Sequence, residues 1–185
     1  MKTYVWALMA FLFSSMAQAA PEQVASWDKD GCKASITREG RLTHMTWSAV
    51  VDAPLKKVQA TLEDWQHAQA VVSGTKQVLL KKKGKAGAHL RVEREAPFFF
   101  PDVWFEVKAS SEVKVGKVHV VWAFLEGSGE AYRREWTLVK EGNKTRVLHT
   151  FQLGLPYDLP NVFVKSRLSQ QVEEDLQELR KAIKR

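Results

Sequence analysis

The stretch NVFVKSRLSQQVEEDLQELRKAIK, residues 161–184, places Val164, Leu168, Val172, Leu176, Leu179 and Ile183 three or four residues apart, with Lys, Arg, Glu and Gln between them. That spacing lays one apolar stripe along a long amphipathic helix. About a hundred residues upstream of it read mainly as strands, and a short helix comes before most of those. A mostly antiparallel sheet closed by one long C-terminal helix is the plan of a container. It points to a binder of hydrophobic molecules more strongly than to a catalyst.

Working back from the helix, residues 145–153, 131–140, 118–125 and 103–112 read as strands, with Gly142-Asn143, Gly127 with Gly129, and Gly116 in the turns. Residues 78–82 and 88–95 form a hairpin around the turn from Gly84 to Gly87. Short glycine-containing turns between successive strands predict an antiparallel meander rather than parallel units. Further back, Met45, Trp47, Ala49 and Val51 alternate with Thr46, Ser48 and Val50 along Leu42–Val51, the period of a half-buried strand. A strand at 34–37 precedes it across a Glu39-Gly40 turn, and 27–31 reads as a lead-in with an Asp30-Gly31 turn. Asp52-Ala53-Pro54 predicts a helix start, with Asp52 as N-cap and Pro54 near the first turn. Leu55, Val58, Leu62 and Trp65 supply that helix's apolar face, and it is expected to end near Trp65. Residues 66–75 read as a looser connection. No internal repeat or second domain is visible.

Residues 1–19 read as a cleaved secretory signal peptide. Lys2 is its positive region, Tyr4 to Phe13 its apolar run, and Ala17-Gln18-Ala19 fits the small-x-small cleavage rule. The run is shorter than the roughly twenty apolar residues of a spanning helix. The remaining residues, 20–185, are expected to form one exported domain with a core of its own. A bacterial periplasm is the expected compartment, from the short signal and the absence of disulfides. Cys32 is the only cysteine, so no internal disulfide can form, and it reads as an ordinary buried or semi-buried residue.

The formal net charge is +7. Much of the excess is local, in Lys81 to Lys83 with Lys85, and in Lys181, Lys184 and Arg185. These read as a solvated turn and a solvated helix end, the latter matching the negative end of the helix dipole. The functional alternative is transient contact with an anionic membrane. Nucleic acid is not an expected partner, since no binding motif appears.

Three segments carry a family likeness. They are Trp27, Asp30-Gly31 and Arg38 followed by Ala49-Val50-Val51-Asp52-Ala53-Pro54-Leu55-Lys56-Lys57-Val58; Gly129 with Arg134-Glu135-Trp136-Thr137-Leu138 and Thr145-Arg146-Val147; and Asp158-Leu159-Pro160-Asn161-Val162. In that order they resemble the START and polyketide-cyclase superfamily (SRPBCC), the helix-grip fold. The resemblance covers nearly the whole of 20–185 and implies an α+β domain in which a curved antiparallel sheet wraps the closing helix around a cavity. It also implies a hydrophobic small-molecule partner: a lipid, sterol, quinone or polyketide-like compound. Some members cyclise or hydrolyse their ligand, so the fold leaves catalysis open.

On 131–139, alternation puts Tyr132, Arg134, Trp136 and Leu138 on the expected inner face. On the next strand Val147, His149, Phe151 and Leu153 share one face. A buried arginine needs a carboxylate, a carbonyl or a ligand anion. Arg134 and His149 are therefore the expected polar groups of the interior, either orienting a ligand head or merely satisfied within the core. Trp47, Phe105, Trp122, Trp136 and Phe151, with Leu168, Val172 and Leu176 of the helix, are the candidate apolar lining of a cavity, plain core packing being the alternative. Phe98, Phe99 and Phe100, between Pro97 and Pro101, are expected on a loop, packed inward or lining the cavity mouth, with membrane contact as the alternative.

His44, His67, His89 and His119 are scattered, with no pair at ligand spacing, so neither metal nor cofactor is expected. The reading is binding of a hydrophobic molecule, extended to its transport. The alternative is a cyclase- or hydrolase-type enzyme using Arg134 and His149.

Overall fold

The computed structural model describes residues 21–85, 87–96 and 100–185. The expected signal segment and Phe98-Phe99 lie outside the described residues. Nine strands are formed among them: β1 (Glu22–Lys29), β2 (Cys32–Glu39), β3 (Leu42–Val51), β4 (Gln77–Gly84), β5 (Gly87–Arg94), β6 (Val103–Lys114), β7 (Lys117–Gly127), β8 (Ala131–Glu141) and β9 (Lys144–Gly154). They make one curved antiparallel sheet in the order β1-β2-β3-β9-β8-β7-β6-β5-β4. Two meanders, β1 to β3 and β4 to β9, thus join where β3 pairs with β9.

β1 was not legible as a strand, only as a lead-in around Trp27. It is an edge strand with no fully buried side chain, so its residues show no clean alternation. The hairpin that makes it was legible. Asp30 and Gly31 take φ of 52° and 73°, the pair of left-handed residues that a tight two-residue hairpin turn demands.

Between β3 and β4 lies helix α1 (Leu55–Leu62), followed by a 3-10 segment, Trp65–Val71. Two expectations are corrected here. Pro54, not Asp52, is the N-cap residue, and no side chain caps the helix. Asp52 sits two residues too early and only faces Lys144 at 3.7 Å on the surface. The helix also stops at Leu62. Trp65 instead opens the 3-10 segment, whose Trp65, Ala68 and Val71 are buried, so 66–75 is firmer than a loose connection.

Helix α2 (Asn161–Lys184) has the bounds its periodicity predicts, and all six of its stripe residues are buried. It packs on α1, the 3-10 segment and strands β1 to β3. Arg38 fastens its approach, donating from Nη1 to Asn161 Oδ1 at 2.9 Å and pairing with Asp158. The inner faces expected for β3, β8 and β9 are the buried ones, with Met45, Trp47, Ala49 and Val51 at 3% exposure or less. Burying one face of each strand fixes register, since a one-residue slip would turn every one of these side chains outward.

Candidate ligand-binding cleft

Polar groups enter the interior from three elements. On β5 the inward series Ala88, Leu90, Val92 ends in Arg94, only 6% exposed. On β8 the corresponding series carries Arg134, which is fully buried. The α2 stripe contains two polar residues one turn apart, Gln171 and Asp175, both buried. The sheet and the helix thereby bring two arginines against one carboxylate and one amide.

Asp175 is fully engaged. Its Oδ2 accepts from Arg134 Nη1 at 3.0 Å and its Oδ1 from the Ser73 backbone amide at 2.7 Å. Arg134 Nε donates to the Tyr132 hydroxyl at 2.9 Å, and its guanidinium lies 4.3 Å over the Phe151 ring. Burial disfavours the Arg134 charge, but Asp175 and Tyr132 outweigh it and hold the group above the ordinary arginine range.

Arg94 is held more loosely. Its Nη2 donates to Gln171 Oε1 at 3.0 Å, and its guanidinium stands 5.3 Å from the Phe151 ring. No carboxylate among the described residues lies within ion-pair distance of it. Burial pushes the guanidinium down to about 10, and neighbouring Arg134 adds to the fall. Gly74, at φ +61°, covers this pair closely: a Cβ there would stand 3.0 Å from both Arg94 Nη2 and Gln171 Oε1.

Arg94 also lines a cleft of about 490 Å³ between the N-terminal half of α2 and the sheet. Val103, Leu153, Leu155, Leu159, Val164 and Leu168 form its apolar walls, with Tyr157 and Phe163. Lys76, Arg167 and Glu95 are its other charged residues. Phe100 stacks on Tyr157 of this wall, with ring centroids 4.2 Å apart. The volume falls within the roughly 300–1,000 Å³ of small-molecule sites.

The residues expected to line a cavity divide into three groups. Leu168 lines this cleft. Val172 and Leu176 face a smaller hollow of about 190 Å³ beside Trp27 and Cys32. Trp47, Phe105, Trp122, Arg134, Trp136, His149 and Phe151 are at most 2% exposed and pack on one another. Trp122 meets Trp136 edge-on at 5.4 Å, and His149 sits 5.1 Å from Trp47 and 4.9 Å from Trp136. Neither His149 ring nitrogen has a protein hydrogen-bond partner among the described residues. Burial and the Arg134 charge push the imidazole down to about 3, so it is neutral at physiological pH.

Sequence reasoning did not single out Arg94, Gln171 or Asp175. The signals were present. Arg94 continues the inward alternation of β5, and positions 171 and 175 fall on the apolar stripe of α2, where a polar side chain needs a buried partner.

Solved structures share this fold. A STAR-related lipid transfer protein from Xanthomonas axonopodis is similar at TM-score 0.70 and 15% identity, covering 89% of this chain and 99% of that one. Human StAR-related lipid transfer protein 5 gives 0.64 and 13%, covering 92% and 88%. The Zhui aromatase/cyclase from a Streptomyces species gives 0.54 and 13%, covering 77% and 91%. No protein-family model matches the chain, and no curated protein matches it in sequence. The chain therefore has the START-like helix-grip fold.

Proposed function

We propose that this protein binds a hydrophobic small molecule, of lipid or similar amphiphilic character, in the cleft between α2 and the sheet, and carries it. The observation that supports this most is the cleft itself: about 490 Å³, mostly apolar, with one buried cation on its wall. Apolar walls supply affinity through burial of the ligand, and the few polar groups orient it. The fold is shared with proteins described as lipid transfer proteins, which is the same kind of use. Residues 1–19 carry the pattern of an export signal, so the reading includes action in an exported compartment such as a bacterial periplasm.

The cyclase- or hydrolase-type alternative draws less support. Arg134 is occupied by Asp175 and Tyr132, and His149 is a weak base enclosed by tryptophans. Neither is among the residues lining the cleft.

Titration of delipidated protein with a pyrene-labelled fatty alcohol tests the reading. Wild type should bind it in the micromolar range, and Leu168→Trp, which fills the cleft, should lose binding while keeping its fold by circular dichroism. No binding by wild type, or equal binding by both, would contradict it.

A further inference from the structure

The buried polar groups beside the cleft are unbalanced in two ways. The first is charge. Two guanidinium groups, Arg94 and Arg134, are buried against the single carboxylate of Asp175, and that carboxylate contacts Arg134 and the Ser73 amide. His149 beside them is neutral, so one positive charge is left over, and geometry puts it on Arg94. An isolated charge out of water is costly unless it is paired.

The second imbalance is in hydrogen bonding. Arg94 Nη1, Arg134 Nη2 and Gln171 Nε2 are buried donors with no acceptor among the described residues. Arg94 Nη2 is taken by Gln171 Oε1, which leaves Nη1 as the spare donor of the one guanidinium that lines the cleft. A spare donor that carries a positive charge is best satisfied by a negatively charged oxygen acceptor. A hydroxyl or a ketone offers no charge.

The cleft's other charges point the same way. Lys76 on its rim is paired with Asp102 at 3.0 Å, which leaves Arg94 and Arg167 against the one carboxylate of Glu95. A zwitterionic head would bring a cation into this surplus of positive charge. A plain anion would not.

Resting on the cleft as the binding site, we propose that its ligand is an amphiphile with a single anionic head, a carboxylate or a phosphate, received by Arg94. The hydrocarbon then lies along Val103, Leu153, Val164 and Leu168. Arg134 plays a different part, positioning Asp175 and with it the α2 stripe.

The test uses oleate, oleoyl lysophosphatidate and oleyl alcohol on delipidated wild type, Arg94→Gln and Arg94→Lys. At least one anion should bind wild type more tightly than the alcohol does, and the tighter of the two names the head group. Arg94→Gln should weaken that anion by roughly ten- to hundredfold, the range of a lost charge-assisted hydrogen bond, and leave the alcohol unchanged. Arg94→Lys should restore part of the loss. If the alcohol binds wild type as well as both anions, or if Arg94→Gln weakens all three equally, the anionic head is refuted while the cleft reading survives. If none of the three binds wild type, the cleft reading fails and takes this inference with it.

Discussion

Arg134 and Arg94 are both buried against the same stripe of α2, and they are held in opposite ways. Arg134 meets Asp175, Tyr132 and the face of Phe151, away from the cleft. Arg94 meets Gln171, one turn earlier on the helix, and lines the cleft. A buried charge with its counter-ion inside the fold is a structural tie. A buried charge short of a counter-ion, on the wall of an apolar cleft, is where a ligand's charge belongs. The difference between Asp at 175 and Gln at 171 separates the two.

Removing the counter-ion from the closed pair should have the largest effect. Asp175→Asn leaves Arg134 buried without its carboxylate, and the unfolding free energy should drop by about 3–5 kcal/mol in urea denaturation. A drop under about 1 kcal/mol would erase the distinction between the two arginines.

His149 sharpens the comparison through pH. Its folded pKa of about 3 lies below the ordinary 6.5, so the unfolded chain binds the proton more readily. The stability it confers is complete above pH 6.5 and is lost progressively as pH falls toward about 3. At about pH 4 the loss should reach a few kcal/mol, and His149→Phe should flatten that part of the stability-versus-pH curve. An unchanged slope would show that the imidazole is not kept neutral by the fold.

Arg38→Ala should cost about 1–3 kcal/mol, because Arg38 ties the approach to α2 through Asn161 and Asp158. Calorimetric melting would read it. Arg94→Met should have the smallest effect, a change within about 1 kcal/mol of zero, because removing a charge that lacks a counter-ion offsets the loss of its bond to Gln171. A loss as large as that of Asp175→Asn would put Arg94 among the structural ties.

The fold was legible where local pattern and global need coincide. The bounds of α2 follow from its period, and the inner faces of β3, β8 and β9 follow from alternation. β1 was missed because an edge strand buries too little of either face to alternate. The start of α1 was misplaced because Asp52 looks like a cap, while Pro54 occupies that position. The site was less legible, and the reason is distance along the chain. Arg134 and Asp175 are 41 residues apart, and Arg94 and Gln171 are 77 apart. Alternation turns both arginines inward, but only the packing of α2 shows which one receives the carboxylate. The aromatic residues expected to line a cavity follow the right faces and pack on one another.

Methyl NMR of the delipidated protein titrated with oleate would test the central claim most directly. Shifts should concentrate on Val103, Leu153, Val164 and Leu168 of the cleft, with Val120 and Leu138 of the core silent. Shifts centred on Val120 and Leu138, or no shifts at all, would contradict the assignment of the cleft as the binding site.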